Sequence, residues 1–333
     1  MTLGLFLFLS SISFAESFCL QTFNVYGPAY ASAIEPRLSE LAEEIQKDRC
    51  DSYQFQELWK EDQYTLLESG LKNNRYAPIW ADHIRQDGKM IGLGSAFQGS
   101  ILNARSGTFR VNNEDGIADW FRGAWGVEKG FTLMEVKLDR APQMLFVNTH
   151  THPLNTSIRI AQIVQLLQEM GQSRLPILLT GDFNATPESI EYKLLTQVGN
   201  LKDSFLESNR TYQGICTYCG DNPLSWSSED RVIDFIFFQD SESVSLAVER
   251  SQVNLKGQEQ SPLSDHYGVQ THFTWSEQPG STGKNYAAAA AVLKEAAHLL
   301  EDSAEFAPTR KLMKSWYKDF VKEKAPADLQ GLF

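Results

Sequence analysis

Cysteine, histidine and clustered basic charge are all scarce in this chain. Only four cysteines stand among 333 residues. Two of them, Cys216 and Cys219, form a C-x-x-C pair, but a zinc site needs two further ligands at suitable spacing, and none is near. A small loop-closing disulfide is the simpler reading. Cys19 and Cys50 lie at the starts of two predicted strands, and they can pair only if those strands are neighbours. The formal net charge is −12, with no notable Lys/Arg run before the tail segment Arg310 to Lys324. Proteins that grip a nucleic-acid backbone usually show a basic face, so this balance counts against such a partner while leaving room for an acidic nuclease with a local groove. Beyond the N-terminus no segment is long and apolar enough to span a bilayer, and no repeat of solenoid period occurs.

What is present is ordinary globular composition, 42% hydrophobic and 22% charged, in a length that suits one large domain with an appendage. Leu3 to Phe8 form a short apolar core, and the small residues Ser13 and Ala15 fit a signal-peptidase site, although no Lys or Arg precedes them. Residues 1–15 therefore read as a signal peptide with Glu16 first in the mature chain, which implies a secreted or periplasmic protein. Four cysteines suit that compartment.

Short apolar strands alternate with amphipathic helices over the next 260 or so residues. Strands are predicted at Phe18–Val25, Ser52–Leu58, Phe131–Leu138, Gln143–Thr149, Pro176–Thr180, Val232–Phe238 and Tyr267–Thr274, and helices at Pro36–Asp48, around Asp62–Leu71 and at Ile158–Met170. Hairpins mixed with crossovers imply an α/β protein with mixed sheets. The stretch 276–285 is a linker by its Pro, Gly and Ser content. It separates a main domain, 16–275, from a helical extension, 286–333, whose helices are predicted at Tyr286–Leu300 and Arg310–Val321 with a break at Pro308.

Polar groups collect at the predicted strand ends, where α/β folds place ligands. Gly181-Asp182-Phe183-Asn184 follows an apolar strand, and on an extended backbone Asp182 and Asn184 point the same way; a loop cap is the competing reading. Asp234 lies inside the apolar run Val232–Phe238, where a carboxylate is costly unless paired. His266, in Ser264-Asp265-His266, is a natural partner for it, and Arg231 is the alternative. Glu57 ends one strand and Asn24 another. Asn148-Thr149-His150-Thr151-His152 closes a third. The donors are mostly Asp, Glu and Asn, an oxygen set that favours Mg2+, Mn2+ or Ca2+ over zinc.

Taken in order, Asn24, Gln56-Glu57, Asn148-Thr149-His150, Gly181-Asp182-Phe183-Asn184, Asp234-Phe235-Ile236-Phe237 and Ser264-Asp265-His266 closely resemble the endonuclease/exonuclease/phosphatase superfamily. The resemblance runs from about Phe18 to Trp275 and implies a four-layer sandwich, two mixed β-sheets face to face with helices outside. It also implies roles. Glu57 is the principal metal ligand, assisted by Asn24 and Asp265. Asp182 orients or deprotonates the attacking water, and Asn184 binds the phosphoryl oxygens. His266, braced by Asp234, is general base or electrophilic stabiliser, and His150 assists the leaving group. Lys129, Arg105 and Asn222 are the expected substrate contacts, although Ala104 replaces a serine usual before the arginine; His152 matches no family role and reads as structural.

Three classes of function compete. Export, acidic charge, the His150 segment, Lys129-Gly130 and the Cys216-Thr-Tyr-Cys-Gly-Asp-Asn222 stretch favour a sphingomyelinase-like phospholipase C, with peripheral membrane contact through aromatics such as those in Ala118–Trp125. A secreted DNase I-like nuclease is the runner-up and needs a basic groove, for which Arg105, Arg110, Arg122 and Lys129 are the candidates. A non-catalytic binding module ranks last, because every core position is filled.

Overall fold

The computed structural model describes residues 16–72, 75–83, 90–112, 128–258, 261–280 and 283–323; the expected leader, the aromatic stretch Ala118–Trp125 with Arg122, and 324–333 lie outside them. The strands among these residues are β1 (Ser17–Asn24), β2 (Ser52–Gln56), β3 (Ala77–Trp80), β4 (Gly94–Phe97), β5 (Gly99–Thr108), β6 (Gly130–Leu138), β7 (Gln143–His150), β8 (Ile177–Asp182), β9 (Lys202–Asp203), β10 (Asp234–Gln239), β11 (Ser245–Asn254) and β12 (Gly268–Ser276). They form two six-stranded sheets, in the orders β11-β12-β1-β2-β4-β3 and β5-β6-β7-β8-β10-β9. Each is mixed, with one parallel pair (β1 with β2, β7 with β8) among antiparallel neighbours.

Side-chain alternation explains why two sheets face each other. In β8, Leu178 points into an inter-sheet core with Phe18, Leu20, Phe146, Ile236 and Phe238, while Ile177 and Leu179 point outward to the helices. The outer face of the second sheet is covered by α3 (Thr156–Met170), α4 (Ile190–Lys193), α6 (Tyr286–Leu299) and α7 (Ala307–Glu323). The outer face of the first is covered by α1 (Ile34–Asp48) and α2 (Glu61–Lys72), through Leu38, Leu41, Ile45, Leu67 and Leu71. A short α5 (Ser204–Asn209) follows β9, capped by the Asp203 carboxylate. The result is the four-layer sandwich. The C-terminal helices share the α3 core through Ala289, Val292, Leu293, Ala296 and Met313, so they extend this layer.

Along the inner face the residues change character. β7 runs Met144, Phe146, Asn148, His150; β8 runs Leu178, Thr180, Asp182; β1 runs Phe18, Leu20, Thr22, Asn24. Hydrocarbon fills one end of the inter-sheet space and polar groups the other. These polar ends must pair across the gap. The Gln56 amide donates to Asn148 Oδ1 at 2.7 Å, and Asn148 Nδ2 donates to the Phe55 and Gly94 carbonyls at 2.9 and 3.0 Å.

Several boundaries differ from the sequence expectation for local reasons. β2 stops at Gln56, not Leu58, because Glu57 takes a left-handed φ of 63°. β8 continues through Asp182, whereas Asn184 is left-handed at φ 48°, so the extended-backbone argument for Asp182 and Asn184 fails. Pro308 does not break a helix: it lies in the first turn of α7, where its missing N–H costs nothing. The four edge strands β3, β5, β9 and β11, and the internal β4, were not predicted.

β1 and β2 are parallel neighbours, and Cys19 and Cys50 are joined, as are Cys216 and Cys219. Breaking the first bond with Cys19→Ala and Cys50→Ala removes a cross-link between residues 31 apart, and the unfolding free energy should fall by about 3–4 kcal/mol, read as a lower urea midpoint; an unchanged midpoint would contradict the assignment. Asn148→Ala removes one acceptor from the Gln56 amide, which keeps the Thr22 hydroxyl, and one donor from each of two carbonyls between the sheets, and should cost roughly 1–3 kcal/mol in the same assay.

Candidate active site

The strand register assembles the site. His150 pairs with Asp182 across β7 and β8, and Asp182 pairs with Asp234 across β8 and β10. In-register neighbours project to the same face, so these three form one row on the inner face of the second sheet. Opposite them Asn24 pairs with Gln56 across β1 and β2, and its amide crosses the gap to donate to Asp182 Oδ2 at 3.0 Å. Asp234, His150 and His266 are all buried.

His266 lies just before β12 and bonds Asp234 Oδ2 through Nδ1 at 2.8 Å, which leaves Nε2 facing Asp182 at 3.7 Å. The Arg231 alternative does not hold: its guanidinium stacks over the Tyr218 ring instead. Burial disfavours charge on His266, yet Asp234, Asp182 and Asp265 outweigh it and raise the imidazole well above its ordinary value. The Thr217 hydroxyl accepts from the Ile233 and Asp234 N–H groups, and the Tyr218 ring packs against His266 with centroids 4.9 Å apart. Oδ1 of Asp234 is buried without a hydrogen-bond partner.

Asp182 is 2% exposed. Burial opposes its ionisation, but the His150 and His266 rings hold its carboxyl well below the usual carboxylate range. His150 Nε2 is 3.3 Å from Asp182 Oδ2 and 3.9 Å from Glu57 Oε1. Asn184 N–H donates to Asp182 Oδ1 at 2.9 Å, and its side-chain amide donates to the Thr151 carbonyl at 3.1 Å. Here Asn184 reaches the site through a turn around the carboxylate.

The loop after β1 closes tightly on Glu57: a Cβ on Gly27 would stand 2.3 Å from the Glu57 carbonyl oxygen. On the other side the Ser264 hydroxyl donates to the Asn24 carbonyl at 2.6 Å, which brings Asp265 to the same place. Burial pushes the Asp265 carboxyl up to about 7; His266 opposes the shift, and the Glu57 and Asp182 carboxylates add to it. Among the described residues, one group of potential ligand atoms lying within 4.8 Å of each other is Asp182, Asp234 and His266.

Two expected substrate contacts are not brought to this cluster in that role. Arg105 lies on β5 and is committed to Glu169 of α3 at 2.8 Å, half exposed. Asn222 is buried nearby, but its amide donates to the Ser264 carbonyl and its oxygen accepts Leu224 N–H, so it positions the Asp265 segment. Lys129 does enter: it is buried, with Nζ 3.0 and 2.8 Å from the two His150 ring nitrogens and 5.6 Å from the Trp59 ring centroid. His152 is structural, its Nδ1 accepting the Leu154 and Asn155 N–H groups before α3. Arg37 was missed, and Tyr218 entered only as part of the Cys216–Asn222 stretch, with no role of its own. The one available signal for Arg37 was a cation in the first turn of an otherwise apolar helix face; it is buried and donates to the Val25, Tyr26 and Leu263 carbonyls.

Comparison with known proteins agrees with this fold. The chain is 28% identical over 199 residues to a Drosophila melanogaster protein named "Putative neutral sphingomyelinase", covering 55% of this chain and 42% of that one; the chain thus spans about two-fifths of that relative's length. The fold matches Danio rerio TDP2 complexed with a single-strand DNA product (TM-score 0.60, 14% identity, 78% of this chain and 99% of that one). It also matches a mannosyl-6-phosphatase of Bacteroides thetaiotaomicron (TM-score 0.58, 18% identity, 77% and 99%). Residues 22–266 match the Endonuclease/Exonuclease/phosphatase family. The chain belongs to that family, whose members are hydrolases of phosphoesters.

Proposed function

We propose that the chain is an exported, divalent-metal-dependent phosphodiesterase of the phospholipase C type, with a sphingomyelin-like lipid as substrate. The observation that carries this reading is the convergence on one buried, ionised carboxylate, Asp182, of a histidine on each side and an amide from the opposite sheet. That arrangement suits in-line attack of water on phosphorus.

Asp182 orients the water and accepts its proton. Asn184 has two amide hydrogens, of which one is spent on Thr151 and the second is left for a phosphoryl oxygen. His266, locked through Nδ1 by Asp234, offers Nε2–H to the same developing charge, so of its two expected roles the electrophilic one fits better. His150, backed by Lys129, lies on the other side of Asp182 and delivers a proton to the leaving oxygen. The remaining donors fit a hard cation: Asn24 Oδ1 accepts one N–H, from Tyr26, and has a second lone pair, and the Asp265 carboxyl is buried within the field of the Glu57 carboxylate. Asn24, Glu57 and Asp265 would hold Mg2+, or Mn2+ or Ca2+, which supplies charge neutralisation at the phosphoryl oxygens when bound.

Export is supported by the two disulfides and by the leader-like N-terminus. The lipid choice over DNA is supported by the sphingomyelinase-like relative and by the basic residues available for a groove. Among the described residues, Arg105 pairs with Glu169, Arg110 donates to Gln168, and Lys129 is buried; Arg122 lies outside them.

Purified protein should hydrolyse sphingomyelin vesicles with Mg2+, lose that activity in EDTA, and leave plasmid DNA intact under both conditions. Activity surviving EDTA sinks the metal-dependent reading, and cleavage of DNA alone reverses the substrate choice. His266→Ala and Asp234→Asn should each lower kcat by roughly 10²–10⁴ with a smaller change in KM and unchanged circular dichroism. Undiminished turnover in either variant removes that residue from the mechanism.

A further inference from the structure

The two loops that carry the site are tied together at its mouth by aromatic side chains. Tyr26 follows Asn24 in a left-handed conformation, φ 50°, and Arg37 pins this loop to the Leu263 carbonyl, just before Asp265. Trp226 comes from the loop after the Cys216–Cys219 disulfide. Its indole N–H donates to the Tyr26 hydroxyl at 2.9 Å, and its backbone N–H donates at 2.8 Å to the hydroxyl of Tyr218, the ring against His266. Tyr30 stands beside both, its centroid 6.4 Å from Tyr26 at 68° and 6.0 Å from Trp226 at 72°.

Two of these rings are open to solvent. Tyr30 is 73% exposed and Trp226 79%, an unusual setting for adjacent large aromatics. Protein cations already stand over their neighbours: Arg37 lies 5.4 Å from the Tyr26 centroid and Arg231 4.8 Å from that of Tyr218. Among the described residues no cation stacks on Tyr30 or Trp226. The Tyr26 N–H donates to Asn24 Oδ1 at 3.0 Å, so the rings stand at the edge of the site. Near-perpendicular π faces about 6 Å apart suit a large, weakly hydrated cation without N–H groups, whereas a primary ammonium gives up more hydration to enter them.

We propose that Tyr30 and Trp226, with the edge of Tyr26, form a receptor for a quaternary ammonium group, holding the trimethylammonium end of a choline phosphodiester while its phosphate enters the site. The proposal deepens the phospholipase C-like reading and rests on it for the substrate. The phosphate end is common to many substrates; the aromatic rim is what selects the headgroup.

Calorimetric titration of the full chain in Mg2+ with phosphocholine and with phosphoethanolamine tests it. Phosphocholine should bind about tenfold more tightly. The Tyr30→Ala, Trp226→Ala double variant should bind the two alike, and Tyr30→Phe and Trp226→Phe should keep most of the preference. If the double variant does not fold, Trp226→Ala alone serves the comparison. Equal or absent binding of the two probes by the wild type overturns the proposal, as does a preference that survives the alanine changes. Loss of vesicle association with an unchanged headgroup preference makes the rings a membrane anchor and overturns it too. A parallel hydrolysis assay on sphingomyelin and its ethanolamine analogue separates the two readings. Selective binding without any phosphodiester cleavage contradicts the catalytic reading alone, and equal binding with efficient cleavage contradicts the receptor alone.

Discussion

A carboxylate buried between two sheets is the constraint around which this molecule is arranged. Asp182 has almost no access to water, and taking a charge out of water costs several kcal/mol unless donors replace the solvent. Asn24 reaches it from one sheet, the Asn184 N–H from its own turn, and His150 and His266 stand on either side. Each donor depends on a different element, so the strand register, the turn after β8 and the loops after β1 and before β12 are all fixed by satisfying one group. The Gln56–Asn148 bridge does the same work one step further into the gap. The hydrocarbon end of the inter-sheet core supplies the stability that lets the polar end stay dry.

That division explains what was legible beforehand. Strands such as β7, β8 and β10 announce themselves because they are buried on both faces and read as apolar runs. Their polar residues then stand out as candidates, Asp182 and His150 at strand ends and Asp234 inside an apolar run, although their roles came only from the family resemblance; the pairing of Asp234 with His266 follows from the cost of an unpaired buried charge. Short-range geometry was less visible. Nothing in the letters says that Glu57 and Asn184 adopt left-handed conformations, or that Arg105, three residues from the near end of β5, spends its guanidinium on a helix. Edge strands were missed because they alternate weakly. Lys129 was ambiguous because a lysine next to a strand is normally solvated; its place beside His150 comes from the β6–β7 register, a non-local fact.

The same fold is found in a protein complexed with a DNA product and in one named for a mannosyl phosphate. Function on such scaffolds is set by loops around a constant centre. Here those loops are the one after β1, clamped by Arg37, and the one after the Cys216–Cys219 disulfide, joined to the first by the Trp226–Tyr26 hydrogen bond. They brace Asn24 and His266 from outside, so the proposed headgroup receptor and the geometry of the reacting groups are mechanically linked.

The central claim is that water attacks phosphorus within this cluster. Hydrolysis of sphingomyelin in oxygen-18 water, with the products weighed by mass spectrometry, tests it directly. Attack at phosphorus places the label in phosphocholine and none in ceramide. Label in the ceramide hydroxyl, or products formed without incorporation, would contradict the account.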